Sequence, residues 1–371
     1  MRSTIKRQRF RRLAAVGIAV LVTAAAASCG GSSSSSSSNS AGSGSSSSAK
    51  TVHLAFIYPG TFANFAQEMA LGAKAAADHT PGVDFTESAP ANNDGNQQVQ
   101  LFQDATQTSK DGMAWMTLFP QLFIRPVQQA TSQNIPLIAV DVPPPQGTKV
   151  TTFVGNSNTE LGQALAAQLM KQPTFNCSNG GQILIGTDTP GLPPLEARNA
   201  GFSQVIKAHC PKVQLINFDS KQTPTDNYNA WSAAVKAHPN ALAFVGPGSE
   251  DATSMAQIER QTGKHYLVGA DDLDPVALKG VKQGLVFSLI SPEHWLKGYI
   301  AVKLLAKHAQ TGAPLPAGWW NPGYLVVNSS NIDKILARQK TPATQYAYFK
   351  PIADAELADP SKYIKPMSDI N

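Results

Sequence analysis

The chain lacks the local signatures of a catalyst. It has no Gly-x-Ser-x-Gly elbow, no His-Glu-x-x-His, no Cys/His ligand spacing and no phosphate-binding loop. The seven histidines (His53, His79, His209, His238, His265, His294 and His308) are scattered, several at expected helix ends, where a cation suits the helix dipole. Asp271-Asp272-Leu273-Asp274 lacks the alternating spacing and downstream Glu of a calcium loop. Gly246-Pro247-Gly248 lacks the third glycine of a dinucleotide turn. No metal and no cofactor are expected. Cysteine is scarce, at three residues. The apolar run Leu13–Ala27 falls short of the roughly 18–20 residues that span a bilayer.

What is present at the start is an export signal. Met1–Arg12 carries six bases and no acid, and the apolar run that follows ends in small residues. Residues 1–28 therefore read as a signal peptide. Ala26-Ala27-Ser28-Cys29 resembles a bacterial lipoprotein signal, which makes Cys29 the lipidated first residue of the mature chain. Arg11-Arg12 keeps the twin-arginine route open beside the general secretory one. Residues 29–49 supply the Cys and a tether of almost pure Ser and Gly, too polar to build a core. The expected location is the outer face of a cell membrane, held by lipid. Of 30 Lys and Arg against 25 Asp and Glu, six bases leave with the signal, so 24 remain against 25. No basic cluster is left, and nucleic acid is not an expected partner.

From residue 50 onward the chain alternates strands and helices, which predicts an α/β fold. Val52–Tyr58 is a buried parallel strand by composition. Pro-Gly-Thr breaks it, and Ala63–His79 has helical periodicity. In doubly wound sheets ligands bind beyond the carboxyl ends of strands. Tyr58, Phe62, Asn64 and Phe65 fall in or beside that first crevice loop, a mixture suited to a small polar ligand with an apolar face. Strands follow at Val83–Glu87, Met113–Leu118, Leu137–Asp141 and Thr152–Val154. A second series has strands at Gln182–Gly186, Val213–Asp219, Ala241–Val245 and Tyr266–Ala270. Two similar series predict two three-layer α/β/α lobes. Val286–Ile290, a helix over Glu293–His308 and a strand over Gly323–Asn328 read as returns through a multi-strand hinge. The expected division is 50–156 with 290–321 for one lobe, 157–289 with 322–330 for the other, and 331–371 as a C-terminal extension packed on the surface.

Cys177 precedes the strand Gln182–Gly186, and Cys210 follows the helix that returns from it. Both positions lie at the strand-start edge of a βαβ unit. In an exported protein they are expected to pair as a structural disulfide away from the crevice.

Several positions after strands carry chemistry. Asp141 ends one strand and can accept two ligand hydroxyls. Asp271 repeats that pattern in the second series. Arg198 stands at a helix start, against the dipole, and Asn156 lies at the crossover between series. One of Thr225, Asp226 and Tyr228 is expected to reach the ligand. Trp231, Trp295 and Tyr299 read as packing. Trp319 and Trp320 could pack the hinge or line the cleft.

Four segments occur in one order: Ile135-Pro136 through Asp141; Ser157-Asn158-Thr159-Glu160-Leu161-Gly162; Arg198 through Gly201-Phe202; and Val268-Gly269-Ala270-Asp271 followed by Lys282-Gln283-Gly284. Together they make residues 50–328 resemble the periplasmic sugar-binding proteins of the ribose-binding type, the substrate-binding subunits of ABC importers. The resemblance implies two lobes joined by three crossings, closing as a monomer on a carbohydrate or polyol and delivering it to ABC permease subunits. It implies that Phe65 stacks on the sugar, that Asp141 and Asp271 bind hydroxyls, that Arg198 reaches the ligand and that Asn156 contacts the hinge. The chain departs from the ribose pattern at Val142, Phe119, Gly248-Ser249 with Glu250 next, and Ser291-Pro292-Glu293. The pocket is therefore expected to be less polar, suited to a deoxysugar, a sugar alcohol or a cyclitol. Two alternatives remain: a sensor of the same fold signalling to a membrane receptor, and a protein binding a non-sugar small molecule. An enzyme using Asp141 and Asp271 as a carboxyl pair is disfavoured, since no nucleophile–base pair is visible.

Overall fold

The computed structural model describes residues 51–370. The leader, Cys29 and the Ser/Gly stretch lie outside the described residues. Two mostly parallel sheets, each with an antiparallel edge strand, organise the chain. The first is built from β1 (Val52–Ile57), β2 (Val83–Ser88), β3 (Gly112–Trp115), β4 (Leu137–Val140) and β5 (Thr152–Val154), with α1 (Asn64–Asp78), α2 (Gly95–Thr108) and α3 (Ile124–Ser132) between them. The chain then crosses into α4 (Asn158–Met170). The second sheet takes β6 (Gly181–Thr187), β7 (Val213–Asp219), β8 (Ala243–Gly246) and β9 (Val268–Asp271). These are spaced by α5 (Pro193–His209), α6 (Pro224–Ala237), α7 (Ser249–Thr262) and α8 (Pro275–Lys282). The short strands β3, β4, β8 and β9 are buried at every position, as parallel strands covered on both faces must be.

The later crossings differ in detail from the sequence reading. β10 (Ser288–Ser291) pairs with β9 and so stays in the second sheet, while α9 (His294–Thr311) packs beside α1 in the first lobe. β11 (Gly318–Trp320), a strand the sequence did not show, pairs with β5, and β12 (Leu325–Val327) returns to β10. The order is β2-β1-β3-β4-β5-β11 in one sheet and β7-β6-β8-β9-β10-β12 in the other. The chain thus passes between lobes after β5, after β10 and between β11 and β12. Trp319 and Trp320 pack this hinge: Trp319 Nε1 donates to Gly155 O at 2.6 Å, and Trp320 Nε1 to Glu356 Oε2 at 2.9 Å. Trp231, Trp295 and Tyr299 are buried, in line with their reading as packing residues.

Each lobe rests on one intimate helix pair. A Cβ on Gly72 would stand 1.9 Å from Trp295 O, and one on Gly298 2.0 Å from Met69 O, so α1 and α9 touch backbone to backbone. Gly162 and Gly201 do the same for α4 and α5. The Cys177–Cys210 disulfide forms, its Cα atoms 5.7 Å apart, at the start edge of β6 and β7.

The segment after residue 330 is not confined to the surface. Ile332 and Ile335 of α10 (Ile332–Arg338) enter the second core, whereas Phe349 and Ala353 of α11 (Pro342–Ala358) enter the first. β13 (Ile364–Lys365) then adds an antiparallel edge to β11. Its mixed polar and apolar spacing hid this, because α10 and α11 bury only three and four side chains, several of them polar.

Candidate functional site

The carboxyl ends of the strands of both lobes face one another across a small cavity. The first lobe offers an apolar wall, Phe65 with Met116 and Leu118, and one carboxylate, Asp141. The second lobe offers Leu192, Pro194 and Leu195 around α5, and a polar side made of Asp188, Arg198, Gln222, Ser249 and Asp272. His294 closes the floor. The enclosed space is about 30 Å³, room for one or two waters by the usual volume per site, so a larger ligand requires the lobes to part.

Two aspartates take equivalent positions. Asp141 and Asp272 each follow a central strand with positive φ, 64° and 67°. The backbone N–H of Asp141 donates to Val154 O at 2.8 Å and that of Asp272 to Ile290 O at 2.9 Å. Asp tolerates the left-handed region better than most residues, and the turn aims each carboxylate into the cavity. The sequence reading placed the second carboxylate at Asp271. β9 ends on Asp271, whose side chain points to the opposite face, as alternation along a strand requires. It sits behind Arg198, Oδ2 3.4 Å from Nε, and neither oxygen has a hydrogen bond.

The cavity floor is a chain of polar contacts. Lys297, fully buried on α9, donates to Asp141 Oδ1, and its Nζ lies 3.3 Å from His294 Nδ1. His294 Nε2 lies 2.7 Å from Asp272 Oδ1. Since the ammonium must donate, Nδ1 accepts and Nε2 carries the proton given to Asp272. The relay joins the first lobe, through α9, to the second. Arg198 is locked from behind: Nε donates to Asn158 Oδ1 at 3.0 Å and Nη1 to Pro247 O at 2.7 Å. Its Nη1 also lies 3.8 Å from Asp272 Oδ2.

These neighbours sort the protons. Burial alone would raise Asp141, but Lys297, His294 and Arg198 bring it down to about 2. Asp272 is held low against burial by His294 and Arg198. His294 is pushed down by burial and by the Lys297 ammonium, so the imidazole is neutral. Burial raises Asp271 to about 8 despite Arg198. Burial raises Asp188 well above the carboxylate range, and Asp251 adds to it. Among the described residues no group of His, Cys, Asp and Glu could hold a metal.

Of the residues singled out from sequence, Phe65, Asp141, Arg198 and Gly248 meet at the cavity. The others do not line it. Tyr58, Phe62 and Phe119 turn into the first core; the Phe119 N–H is tied to Thr117 Oγ1 at 3.0 Å, because β3 ends early and Met116 and Leu118 take the cavity side. Asn64 spans the lobes outside the cavity, donating to Leu273 O at 3.4 Å. Asn156 binds Gly323 O within the hinge. Glu293, at φ 52°, takes two bonds of 3.1 Å from Arg338. Glu250 is buried beside Asp251 and Asp274 and raised to about 7. Asp226 accepts from Thr223 Oγ1 in the exposed first turn of α6 and is not among the cavity residues. Asp188, Gln222, Asp272, Lys297 and His294 were not found from sequence, and Ser249 was seen only as a departure from the ribose pattern. The doubled Asp271-Asp272 was the one available signal, and His294 was lost among scattered histidines.

Residues 54–314, which hold most of both lobes and the cavity at their strand ends, match the periplasmic binding protein domain. The chain belongs to that family. This periplasmic binding protein is 24% identical over 241 residues to the D-allose-binding periplasmic protein of Escherichia coli, covering 62% of this chain and 75% of the relative. Its fold matches an ABC transporter solute-binding protein of Burkholderia graminis solved with D-arabinose. There the TM-score is 0.70 at 24% identity, over 76% of this chain and 97% of that one. It also matches a glucose-galactose-binding protein of Geobacillus stearothermophilus, TM-score 0.68 at 20% identity, over 76% and 99%. These relatives are binding proteins of transport, not enzymes.

Proposed function

We propose that this periplasmic binding protein captures a neutral carbohydrate or polyol between its lobes and passes it to an ABC importer. The observation that carries the reading is the pairing of Asp141 and Asp272, one from each lobe, held ionised opposite the ring of Phe65. Ionised carboxylates accept hydroxyl hydrogen bonds strongly, and an aromatic face covers the C–H side of a sugar ring. A ligand touching both lobes favours the closed state by its differential contacts, which is how capture becomes a signal to a permease. Export and lipid anchoring at Cys29 are supported by the leader sequence and fit this role. The names of the relatives, which bind allose, arabinose, glucose and galactose, favour a sugar ligand.

A thermal-shift screen of residues 50–371 against pentoses, hexoses, deoxysugars, sugar alcohols and inositols tests the reading. A ligand at a thousandfold excess over Kd stabilises the folded state by about 4 kcal/mol. A shift with at least one of these compounds is expected; none with any of them overturns the carbohydrate reading.

A further inference from the structure

The second-lobe wall contains a substitution of space. Gly248 has no side chain, and a Cβ there would stand 2.1 Å from Asp188 Oδ2. The Asp188 carboxyl, carried on the loop after β6, occupies the place where residue 248 would otherwise reach the cavity. Asp188 is 6% exposed and lines that cavity. Ser249 lines it too, is 3% exposed, and its Oγ has no hydrogen-bond partner. The other two cavity carboxylates hold bases of the chain itself, Lys297 on Asp141 and His294 on Asp272. Among the described residues no base forms an ion pair with Asp188.

We propose that Asp188 and Ser249 form a hydroxyl-binding subsite on the second lobe and that this subsite sets which ligand the cleft accepts. The proposal rests on the carbohydrate reading and names the group that selects within it. The charged groups facing Asp188 are Asp251 on α7, Asp272 after β9 and Arg198 on α5, with Asp141 and His294 across the cavity. Burial, and Asp251 beside it, push Asp188 toward its protonated form, which can donate to a ligand oxygen, while Ser249 Oγ donates or accepts beside it. Anionic ligands such as uronates and sugar phosphates are disfavoured by the ionised Asp141 and Asp272. A buried polar pair left empty by an analogue lacking the hydroxyl discriminates strongly, because its hydrogen bonds are then unmade.

The test is calorimetric titration of residues 50–371 with D-allose, D-arabinose, D-xylose, D-glucose and myo-inositol. For whichever of these binds the unmodified protein, Asp188→Ala and Ser249→Ala are each expected to weaken binding about tenfold or more. Gly248→Ala, which displaces the carboxyl without removing it, is expected to match Asp188→Ala. Asp188→Asn keeps a donor. It should hold affinity within about threefold at pH 7. Thermal melts establish that each variant is folded, and Ser249→Ala is the mildest of them. Unchanged affinity in Asp188→Ala and Ser249→Ala overturns the subsite and leaves the carbohydrate reading standing. Binding of none of the five probes to the unmodified protein overturns both.

Discussion

At the residue scale the cleft is a problem in charge balance, solved by pairing some carboxylates and protonating others. Lys297 has no exposed surface and one carboxylate partner, Asp141. Lys297→Met should leave that carboxylate buried and unpaired, at a cost of about 3–5 kcal/mol, read as a lowered urea midpoint at pH 7. Unaltered stability would mean Asp141 is solvated in solution. Asp271 gives a pH dependence. Its pKa is raised from 3.8 to about 8 on folding, so between those values the folded state holds a proton that the unfolded chain has released. Stability therefore falls as pH rises through that window, by up to about 1.4 kcal/mol per pH unit for one whole proton. Asp141 works oppositely: its pKa is lowered from 3.8 to about 2, so its contribution is present above pH 4 and lost as pH falls toward 2. Urea titrations from pH 5 to 8.5 should show a smaller decline for Asp271→Asn than for the parent; equal slopes would refute the assignment. Sequence reasoning found Asp141, Arg198 and Phe65 because strand ends mark the cleft. It missed Asp272 by one position because an aspartate pair at a strand end has two possible faces. It missed Asp188 because a loop Asp is ordinary as a cap or turn, and it met Ser249 only as a departure from the ribose pattern.

At the element scale, glycine pairs and a disulfide fix what the sheets alone leave free. Gly72→Val would drive a side chain into the Trp295 carbonyl, 1.9 Å from the new Cβ. We expect a loss of about 1–3 kcal/mol as α1 and α9 separate, read by chemical denaturation; a neutral substitution would show that the helices slide without cost. Removing the disulfide as Cys177→Ser with Cys210→Ser should cost about 3–4 kcal/mol by the loop-entropy argument. Ligand affinity should be unchanged, since the bridge lies at the strand-start edge, away from the cavity. Reduced affinity at full stability would contradict that placement. The strands and helices up to α9 were legible because buried runs and helical spacing alternate regularly. β11, β13 and the role of α10 and α11 were not. Strands of two or three residues carry no period, and helices that bury three or four residues each, some of them polar, look like surface.

At the scale of the whole molecule the lobes meet through the relay from Asp141 to Asp272, which must break when the cleft opens. His294→Ala removes its middle member and should favour the open form. Small-angle scattering of the ligand-free variant is expected to give a larger radius of gyration than the parent, with both converging when ligand is present. Identical radii without ligand would show that the relay does not restrain opening. The C-terminal segment adds a further restraint, since α10 is seated in one core, α11 in the other, and Arg338 grips Glu293 between them. Two slabs joined by a single cord can swing, slide and spin. Joined by three cords at the hinge and a fourth through the C-terminal segment, they move like a door on its frame, and every opening retraces the same arc back to the same fit.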